Sequence, residues 1–341
     1  MSIQQKEESP EYLRLGLGVT MTLGLRQGLF YRDAKQYCAN LLMTYSEGCL
    51  GNCAYCGLAN ERSGRYVEKS FIRIEWPTYS LEKIIDRLEK YENRFKRVCI
   101  SMITNKRATS DLINIATRIK ERIKLPLSLL ICPTILANED LVKFQQIGVD
   151  RIGIAVDAAA KELFEKIRGR LIGGPHRWQI YWDTINTAID TFGGRKVGVH
   201  LVVGLGETEE QMLQTIQRIH NLGASSTLFS FFPEGGSLLV HRPQPPIGQY
   251  RRVQLGRYLI DKGLATVYDF SFDSAGKVLS YGLSQKELDR VINSGIPFQT
   301  SGCPGCNRPY ANSRPGPNIR NYPFSLTKSD IEKVRKELWM E

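Results

Sequence analysis

The hydrophobic positions of the chain follow two alternating periods over most of its length. Short apolar runs rich in β-branched residues predict strands, and the stretches between them, apolar at every third or fourth position, predict helices. The predicted strands are residues 41–45, 98–103, 127–131, 151–156, 197–203, 227–232, 267–272 and 297–300. The predicted helices are residues 81–91, 111–123, 138–147, 161–167, 178–191, 209–221, 250–261 and 285–293. This alternation predicts βαβ units that build a parallel sheet.

Eight strands predict a closed (β/α)8 barrel of the TIM type, an α/β fold whose active site lies at the carboxyl ends of its strands. If the last two runs are not strands, the remaining six would form an open barrel. The barrel is expected to cover residues 41–302, after an N-terminal lead-in at residues 1–40. Residues 303–341 are expected to form a C-terminal extension, in which a Cys-x2-Cys turn precedes an amphipathic helix at 328–340.

The composition is that of a soluble globular protein, with 42% hydrophobic and 24% charged residues. No run of 18 apolar residues predicts a membrane span, and the polar start carries no signal-peptide core. We therefore expect a cytoplasmic location, where clustered cysteines usually serve metals or catalysis. The net charge of +11 suits an acidic partner, or only a well-solvated surface. Its basic residues are scattered without a nucleic-acid motif, so no nucleic-acid partner is expected.

Three of the eight cysteines lie within eight residues, directly after the first predicted strand. Cys49, Cys53 and Cys56 have the spacing Cys-x3-Cys-x2-Cys, which closes on one metal centre with little loop-closure cost. Thiolates at this density select zinc or iron–sulfur, and three ligands leave one coordination position open, as catalytic sites do. The alternative is a zinc knuckle, but no fourth Cys or His follows at zinc-finger spacing.

The other five cysteines are spread over the chain. Cys38 is interpreted as a small buried apolar residue. Cys99 lies in the second predicted strand and Cys132 ends the third. Cys303 and Cys306 form a Cys-x2-Cys turn after the eighth. Strand cysteines that meet such a turn predict a four-cysteine site for iron–sulfur or structural zinc, and the alternatives are unrelated cysteines or zinc on the turn alone.

The triple-cysteine motif, with Tyr55 just before its last cysteine, resembles the cluster motif of the radical S-adenosylmethionine (radical SAM) superfamily. That resemblance implies a 4Fe–4S cluster on Cys49, Cys53 and Cys56, with SAM on the fourth iron. Over most of its length the chain also resembles the biotin synthase group of this superfamily. The similar segments are residues 132–134, 152–157, 196–208 with their Gly-x-Gly-Glu-Thr turn, and 272–277.

Biotin synthase carries an auxiliary cluster that surrenders sulfur to its substrate, and Cys99 and Cys132 resemble two of the ligands. Three positions depart from that pattern. A third auxiliary cysteine is Gly198 here, the auxiliary arginine is Lys277, and an asparagine that contacts dethiobiotin is Ala155. Lysine lacks the fork of donors that arginine presents. These departures argue against biotin as the product.

The C-terminal extension begins with Cys303-Pro304-Gly305-Cys306-Asn307-Arg308-Pro309-Tyr310, and biotin synthase has no such cysteine pair. This segment resembles the two-component lipoyl synthases of archaea and some bacteria. The ordinary single-chain lipoyl synthase would show a Cys-x4-Cys-x5-Cys triplet, which the chain lacks. The resemblance implies an auxiliary 4Fe–4S centre on Cys99, Cys132, Cys303 and Cys306.

The implied activity is that of a radical SAM sulfurtransferase. It would insert sulfur from the auxiliary cluster into an unactivated C–H bond of an octanoyl chain on a lipoyl carrier domain. The implied partners are this carrier, a second homologous radical SAM protein, and ferredoxin or flavodoxin as reductant. The alternatives are biotin synthase or another member of its group, and a non-catalytic iron–sulfur protein for redox sensing or regulation.

The resemblance also implies residues that contact SAM: Tyr55, Ser101, Asp157, Arg168, Gly204, Gly206 and Glu207. For the Gly-x-Gly pair, the alternative is a tight strand-to-helix turn without a ligand. For Arg168 the alternative is a solvated position in a loop. His200 either faces a site on the fifth predicted strand or is a hydrogen-bonded core residue.

Overall fold

The computed structural model describes residues 6–65, 68–69, 73–311 and 314–340. The strands are β1 Tyr12–Leu15, β2 Cys38–Met43, β3 Thr78–Ser80, β4 Arg97–Ser101, β5 Leu127–Ile131, β6 Arg151–Asp157, β7 Val197–Val203, β8 Ser225–Ser230, β9 Ser271–Phe272 and β10 Val278–Ser280. The α-helices are α1 Leu17–Thr22, α2 Leu81–Lys90, α3 Ala108–Arg122, α4 Asn138–Ile147, α5 Lys161–Ile167, α6 Trp178–Phe192, α7 Glu209–Asn221, α8 Ile247–Asp261, α9 Gln285–Asn293 and α10 Lys328–Leu338.

An eight-stranded sheet forms the framework, in the order β3-β1-β2-β4-β5-β6-β7-β8. Strand β2 and strands β4 to β8 pair in parallel. Strand β1 pairs antiparallel with both β2 and β3. From β4 to β8 at least one helix follows each strand, as the alternating hydrophobic periods predict. The protein therefore has an α/β fold with a mostly parallel sheet.

The structure confirms six of the eight predicted strands, although the first begins earlier, at Cys38. The last two are wrong as strands of this sheet. Val267–Asp269 is a 3-10 turn, because Asp269 accepts hydrogen bonds from both the backbone and the hydroxyl of Thr266. Ile296–Phe298 is another, with Pro297 unable to donate to a strand ladder. A closed (β/α)8 barrel is therefore not shown by the hydrogen-bonded strands of the described residues.

The two faces of the parallel sheet have different surroundings. On the face that the helices cover, side chains are apolar and buried, including Leu41, Ile100, Leu129, Ile154 and Leu201. The opposite face lines an internal cavity, and it carries polar side chains (Asn40, Cys99, Ser128 and His200) among apolar ones (Leu42, Leu130 and Val202). Because successive side chains of a strand alternate between faces, the same strands supply both the core and the cavity wall.

Residues 301–307 run between the two ends of the parallel strand series. At β8, the backbone N–H of Leu228 donates to Ser301 Oγ over 2.8 Å. Next to β2, the N–H of Tyr37 donates to Asn307 Oδ1 over 3.0 Å, and Asn307 Nδ2 donates to Lys35 O over 2.6 Å. The predicted C-terminal extension thus packs against the residues that precede β2, and its cysteines lie near the amino ends of the strands.

Buried ion pairs join the last helices to the rest of the fold. Arg251 on α8 donates to Glu337 on α10 over 2.8 Å, and Arg252 donates to Glu209 on α7 over 2.7 Å. All four side chains are almost inaccessible to solvent. Within the described ranges, no helix combines the length and the apolarity needed to cross a membrane.

The carboxylate of Asp330 caps the start of α10 and also pairs with Arg32, which gives a test of the fold. Asp330 accepts the backbone N–H of Thr327 over 2.9 Å and two bonds of 2.8 Å from Arg32. Asp330→Asn should lower the free energy of unfolding by about 1 kcal/mol, because the cap and the ion pair both weaken. Chemical denaturation measures the change, and Glu332→Gln on the exposed side of the same helix is the matched control.

The effect should also depend on pH. The hydrogen bonds from Arg32 lower the pKa of Asp330 from 3.8 to about 2. A lowered folded-state pKa stabilises the fold above the unfolded value and ceases to do so as the pH falls through the folded value. The difference between wild type and Asp330→Asn should therefore be full above about pH 4 and vanish toward pH 2. A difference that stays constant over this interval would contradict the ion-pair explanation.

Candidate active site

A cavity of about 850 Å³ lies on the face of the parallel sheet opposite the helices. Two groups of cysteines line it. The loop cysteines Cys49, Cys53 and Cys56 follow β2 at the carboxyl ends of the strands, and Cys99, Cys303 and Cys306 lie towards the amino ends. The cavity therefore extends along the strands between the two groups.

Hydrogen bonds to neighbouring loops fix the segment that carries the loop cysteines. The N–H of Leu50 donates to Thr104 O, and the N–H of Ala54 donates to Ile167 O, each over 2.7 Å. Asn52 Nδ2 donates to Ile172 O over 2.9 Å. Thr104 follows β4, and Ile167 and Ile172 lie in the connection after β6, so the loop is fastened to the segments that follow two other strands. These bonds fix the backbone that carries the three thiols.

Gly51 allows the close approach of the loop to its surroundings. A Cβ at this position would lie 3.1 Å from His176 Nε2 and 3.3 Å from Cys49 Sγ. The N–H of Gly51 donates to Cys49 Sγ over 3.3 Å, and the N–H of Leu58 donates to Cys56 Sγ over 3.4 Å. Hydrogen bonds to cysteine sulfur are among the contacts that tune iron–sulfur clusters.

The chemistry of the loop cysteines fits a cluster. Burial raises the pKa of Cys49 and Cys56, and it raises that of Cys53 to about 12, so binding must replace the thiol protons. Among the described residues, no three His, Cys, Asp or Glu side chains are grouped to hold a single metal ion. A four-iron cluster has a different requirement, because each cysteine binds a separate iron.

A buried polar network lies beside the loop cysteines. The hydroxyl of Tyr55 donates to Asp157 Oδ2, and Arg168 donates to the same oxygen over 2.7 Å. Arg168 also donates to the hydroxyl of Tyr181 over 2.9 Å, which lies 3.0 Å from His176 Nδ1. Asp157 ends β6 with a positive φ of 64°, a strained conformation that the network maintains. Tyr55, Asp157 and Arg168 are thus brought together on the cavity wall, as are the loop cysteines.

The network leaves one donor for a ligand. Arg168 Nε is buried and has no hydrogen-bond partner among the described residues. Burial raises the pKa of Asp157, against the opposing effect of Arg168 and Tyr55, and burial lowers the pKa of His176 to about 2. With His176 neutral, the positive charge of Arg168 and this unpaired N–H suit a carboxylate such as that of SAM.

Sequence reasoning missed His176 and Tyr181. Both line the cavity and contact Arg168 or its partners. Thr134 Oγ1 lies 2.7 Å from His176 Nδ1, so β5 is part of the same network. The available signal was the position of His176 between α5 and α6, in the connection that leads from β6 to β7, because parallel sheets place their sites in such connections.

Cys132 lies near the loop cysteines, not near Cys99. In the parallel pairing of β4 with β5, Cys99 is level with Ser128. Cys132 is four residues further along, which is about 13 Å in a strand. Its Sγ lies 3.3 Å from Thr104 Oγ1, and Thr104 is the residue whose carbonyl accepts the loop at Leu50. The structure therefore does not gather the predicted set of Cys99, Cys132, Cys303 and Cys306.

Four other cysteines lie together toward the amino ends of the strands: Cys38, Cys99, Cys303 and Cys306, named here the amino-end cysteines. Interaction with the Cys306 and Cys99 thiols raises the pKa of Cys38, and interaction with Cys38 lowers the pKa of Cys99 and Cys306. Burial, Cys99 and Cys306 raise the pKa of Cys303 to about 11. Cys38 is buried, as predicted, but its surroundings are sulfur and polar groups.

Of the remaining predicted SAM contacts, Ser101 lines the cavity and the residues of the Gly-x-Gly-Glu turn do not. The Gly-x-Gly-Glu turn is closed on itself, because the carboxylate of Glu207 accepts the N–H groups of Gly204, Leu205 and Gly206 over 2.6–3.0 Å. None of Gly204, Gly206 and Glu207 lines the cavity. Their geometry agrees with the alternative of a tight turn without a ligand.

The basic residue at the amino-end cysteines differs from that of the biotin synthase comparison. Lys277, at the position of the auxiliary arginine, lies away from them in a separate pocket near Glu209. Arg308 instead contacts the cysteines, and its NH1 donates to Cys306 Sγ over 3.3 Å. His200 faces the cavity, where burial and the nearby Arg308 lower its pKa to about 3. His200 is therefore neutral.

Comparison with known proteins identifies the class of protein. The model of the radical SAM superfamily matches residues 43–219, which is more than half of the chain. The chain therefore belongs to the radical SAM superfamily. Membership implies a 4Fe–4S cluster and SAM, and the loop cysteines, the space left by Gly51 and the unpaired Arg168 Nε fit both groups.

Individual relatives are distant. A segment of 76 residues is 37% identical to GTP 3',8-cyclase of Rippkaea orientalis, and it covers 21% of this chain and 22% of that protein. The match thus spans about a fifth of that relative. Methylornithine synthase (PylB) superposes with a TM-score of 0.51 at 14% identity, over 72% of this chain and 67% of that one.

The hydrogenase maturase HydG of Carboxydothermus hydrogenoformans superposes with a TM-score of 0.53 at 13% identity, over 94% of this chain and 70% of that one. Identities this low show a shared fold and leave the reaction open. The fold is therefore that of radical SAM enzymes.

The buried pair of Arg168 and Asp157 gives a test of the site. Arg168→Gln should lower the free energy of unfolding at neutral pH by about 3–5 kcal/mol, because a buried carboxylate loses its cation. Denaturant unfolding measures this loss, and the exposed Arg170→Gln is the control. The double variant Arg168→Gln/Asp157→Asn should recover part of the loss. A double variant no more stable than Arg168→Gln would contradict the role assigned to the ion pair.

Proposed function

We propose that this radical SAM enzyme inserts sulfur from a second iron–sulfur cluster into an unactivated C–H bond, most simply that of an octanoyl chain on a lipoyl carrier domain. The observation that carries the proposal is the shared cavity. Its wall includes the loop cysteines at one end and Cys99, Cys303 and Cys306 at the other. A substrate chain lying between the two ends would face both groups.

The loop cysteines would hold the cluster that binds SAM, and Cys99, Cys303 and Cys306 would contribute to the second cluster. When bound, these groups supply the electron that cleaves SAM to methionine and a 5′-deoxyadenosyl radical, and the sulfur that replaces the abstracted hydrogen. The protein's task is to position the substrate and to keep water away from the radical. Arg168 and Tyr55 would orient SAM, and the position of both on the cavity wall, in contact with each other beside the loop cysteines, supports this role.

The cavity wall suits an acyl chain. Towards the N-terminal lead-in it includes the apolar side chains of Met21, Phe30, Ile74 and Trp76. A volume of about 850 Å³ is within the range of sites that enclose small molecules. An octanoyl chain has no charge to pair, and these side chains would bury it through the hydrophobic effect.

The rim of the cavity supports a carrier domain as the form in which the chain arrives. Leu29 and Tyr31 belong to the lining, yet their side chains are exposed, Leu29 by 95%. Arg26 lies beside them, half-exposed, and pairs with Glu75 over 2.6 Å. An exposed apolar rim, on a chain of net charge +11, favours an acidic protein partner.

Cleavage of SAM is the first test. The reconstituted and chemically reduced protein should release methionine and 5′-deoxyadenosine in equal amounts, as measured by liquid chromatography. Cys53→Ala should abolish the release, because one thiolate of the SAM cluster is missing. Absence of cleavage by the iron-loaded wild type would favour the alternative of a non-catalytic iron–sulfur protein.

Sulfur insertion is tested separately by mass spectrometry. An octanoyl-lysine peptide, incubated with the protein and a homologous partner, should gain the mass of sulfur, and Cys303→Ala should prevent this gain because it removes a ligand of the sulfur source. Dethiobiotin is the comparison substrate and should remain unchanged. Cleavage of SAM without added sulfur on either substrate would instead indicate another reaction of the biotin synthase group.

A further inference from the structure

We propose that Cys38 is a ligand of the second iron–sulfur cluster, which the structure assigns to Cys38, Cys99, Cys303 and Cys306. Cys132, which the family resemblance places in this set, is not a ligand. The inference rests on the second cluster of the proposed function and specifies its ligands. The sequence pattern predicts no cluster ligand on β2, the first parallel strand.

Strand register places Cys38 on the cavity side of the sheet. Strand β2 pairs with β4 so that Cys38 is level with Arg97 and Asn40 is level with Cys99. Asn40, Arg97 and Cys99 all line the cavity. Because every second side chain of a strand points to the same face, Cys38 shares the face of Asn40. Cys38 and Cys99 are therefore close neighbours on adjacent strands and on the same face of the sheet.

The C-terminal turn meets the two strand cysteines from the other side. Arg97 Nε donates to Pro304 O over 3.0 Å, within the turn between Cys303 and Cys306. Gly305 approaches β4 so closely that a Cβ there would lie 2.7 Å from Lys96 Cβ, and its φ of 82° is accessible mainly to glycine. Two adjacent strands and one turn thus bring the four cysteines to the same end of the sheet.

The surroundings of the four thiols suit the negative charge of a cluster with four thiolate ligands. Arg308 NH1 donates to Cys306 Sγ over 3.3 Å, and Asn40 Nδ2 donates to Cys38 Sγ over 3.4 Å. Arg97 is buried beside them and held by two bonds of 2.7 Å to Asp150. Cations and N–H donors near cluster sulfur stabilise the added charge.

Cys132 is excluded by its distance along the sheet. Its neighbours are Thr104 Oγ1 at 3.3 Å and the hydroxyl of Tyr181 at 4.0 Å, both of which belong to the end of the cavity near the loop cysteines. Cys132 and Cys38 are therefore a matched pair of buried cysteines for an experiment, one at each end of the cavity.

The test uses a variant that cannot hold the SAM cluster, with Cys49, Cys53 and Cys56 all changed to Ala. After anaerobic reconstitution with iron and sulfide, this variant should bind about four irons per chain, with matching acid-labile sulfide and the visible absorbance of a cluster. Adding Cys38→Ser should reduce the bound iron several-fold. Adding Cys132→Ser should leave it unchanged.

Three results would overturn the assignment. If Cys38→Ser keeps the iron and Cys132→Ser loses it, the ligand set is wrong although a second cluster exists. If the triple-Ala variant binds no iron, the second cluster and the sulfur-insertion proposal fail together. If metal analysis finds zinc in place of iron, the iron–sulfur assignment fails. Far-ultraviolet circular dichroism checks folding, and if Cys38→Ser is unfolded then Cys38→Ala, which suits a buried site better, decides by the same iron measurement.

Discussion

The parallel register of β2, β4 and β5 is the constraint on which the site depends. It aligns Asn40, Cys99 and Ser128 across three strands and sends the loops after all three strands to the same edge of the sheet. A shift of one residue would turn each of these side chains towards the helices. The apolar residues on the opposite face prevent that shift, since a slip would also expose them to the cavity. Packing of the core therefore fixes the chemistry of the interior.

The two ends of the cavity are built by different means. At the carboxyl end, a loop is fastened to neighbouring strand ends through backbone bonds, and a network around Arg168 supports it. At the amino end, thiols come from strands directly, and a turn from the end of the chain completes the group. The first arrangement places its three thiols on a loop, whereas the second combines strand and turn thiols, three of which line the cavity.

The sequence predicts the features that depend on local pattern, and it fails where long-range register decides. The alternating periods identify six strands, and the spacing of the loop cysteines predicts their common site. Cys132 is predicted to lie with Cys99 because both belong to neighbouring strands, but periodicity does not tell which residues are level. Cys38 is interpreted as a packed apolar residue ahead of a first strand predicted from residue 41, whereas β2 begins at Cys38. The last two predicted strands do not form, because the cap at Thr266 and the residue Pro297 each favour a 3-10 turn.

The contact between the residues before β2 and the C-terminal turn has a thermodynamic meaning. Tyr37 and Asn307, which share a hydrogen bond, are 270 residues apart. Closing so long a loop costs chain entropy that local contacts do not recover. A metal group bridging the two segments would bind only the folded chain, so its binding energy would add to the stability of the whole protein. Iron supply would then set the resistance of the molecule to unfolding and proteolysis as well as its catalytic competence.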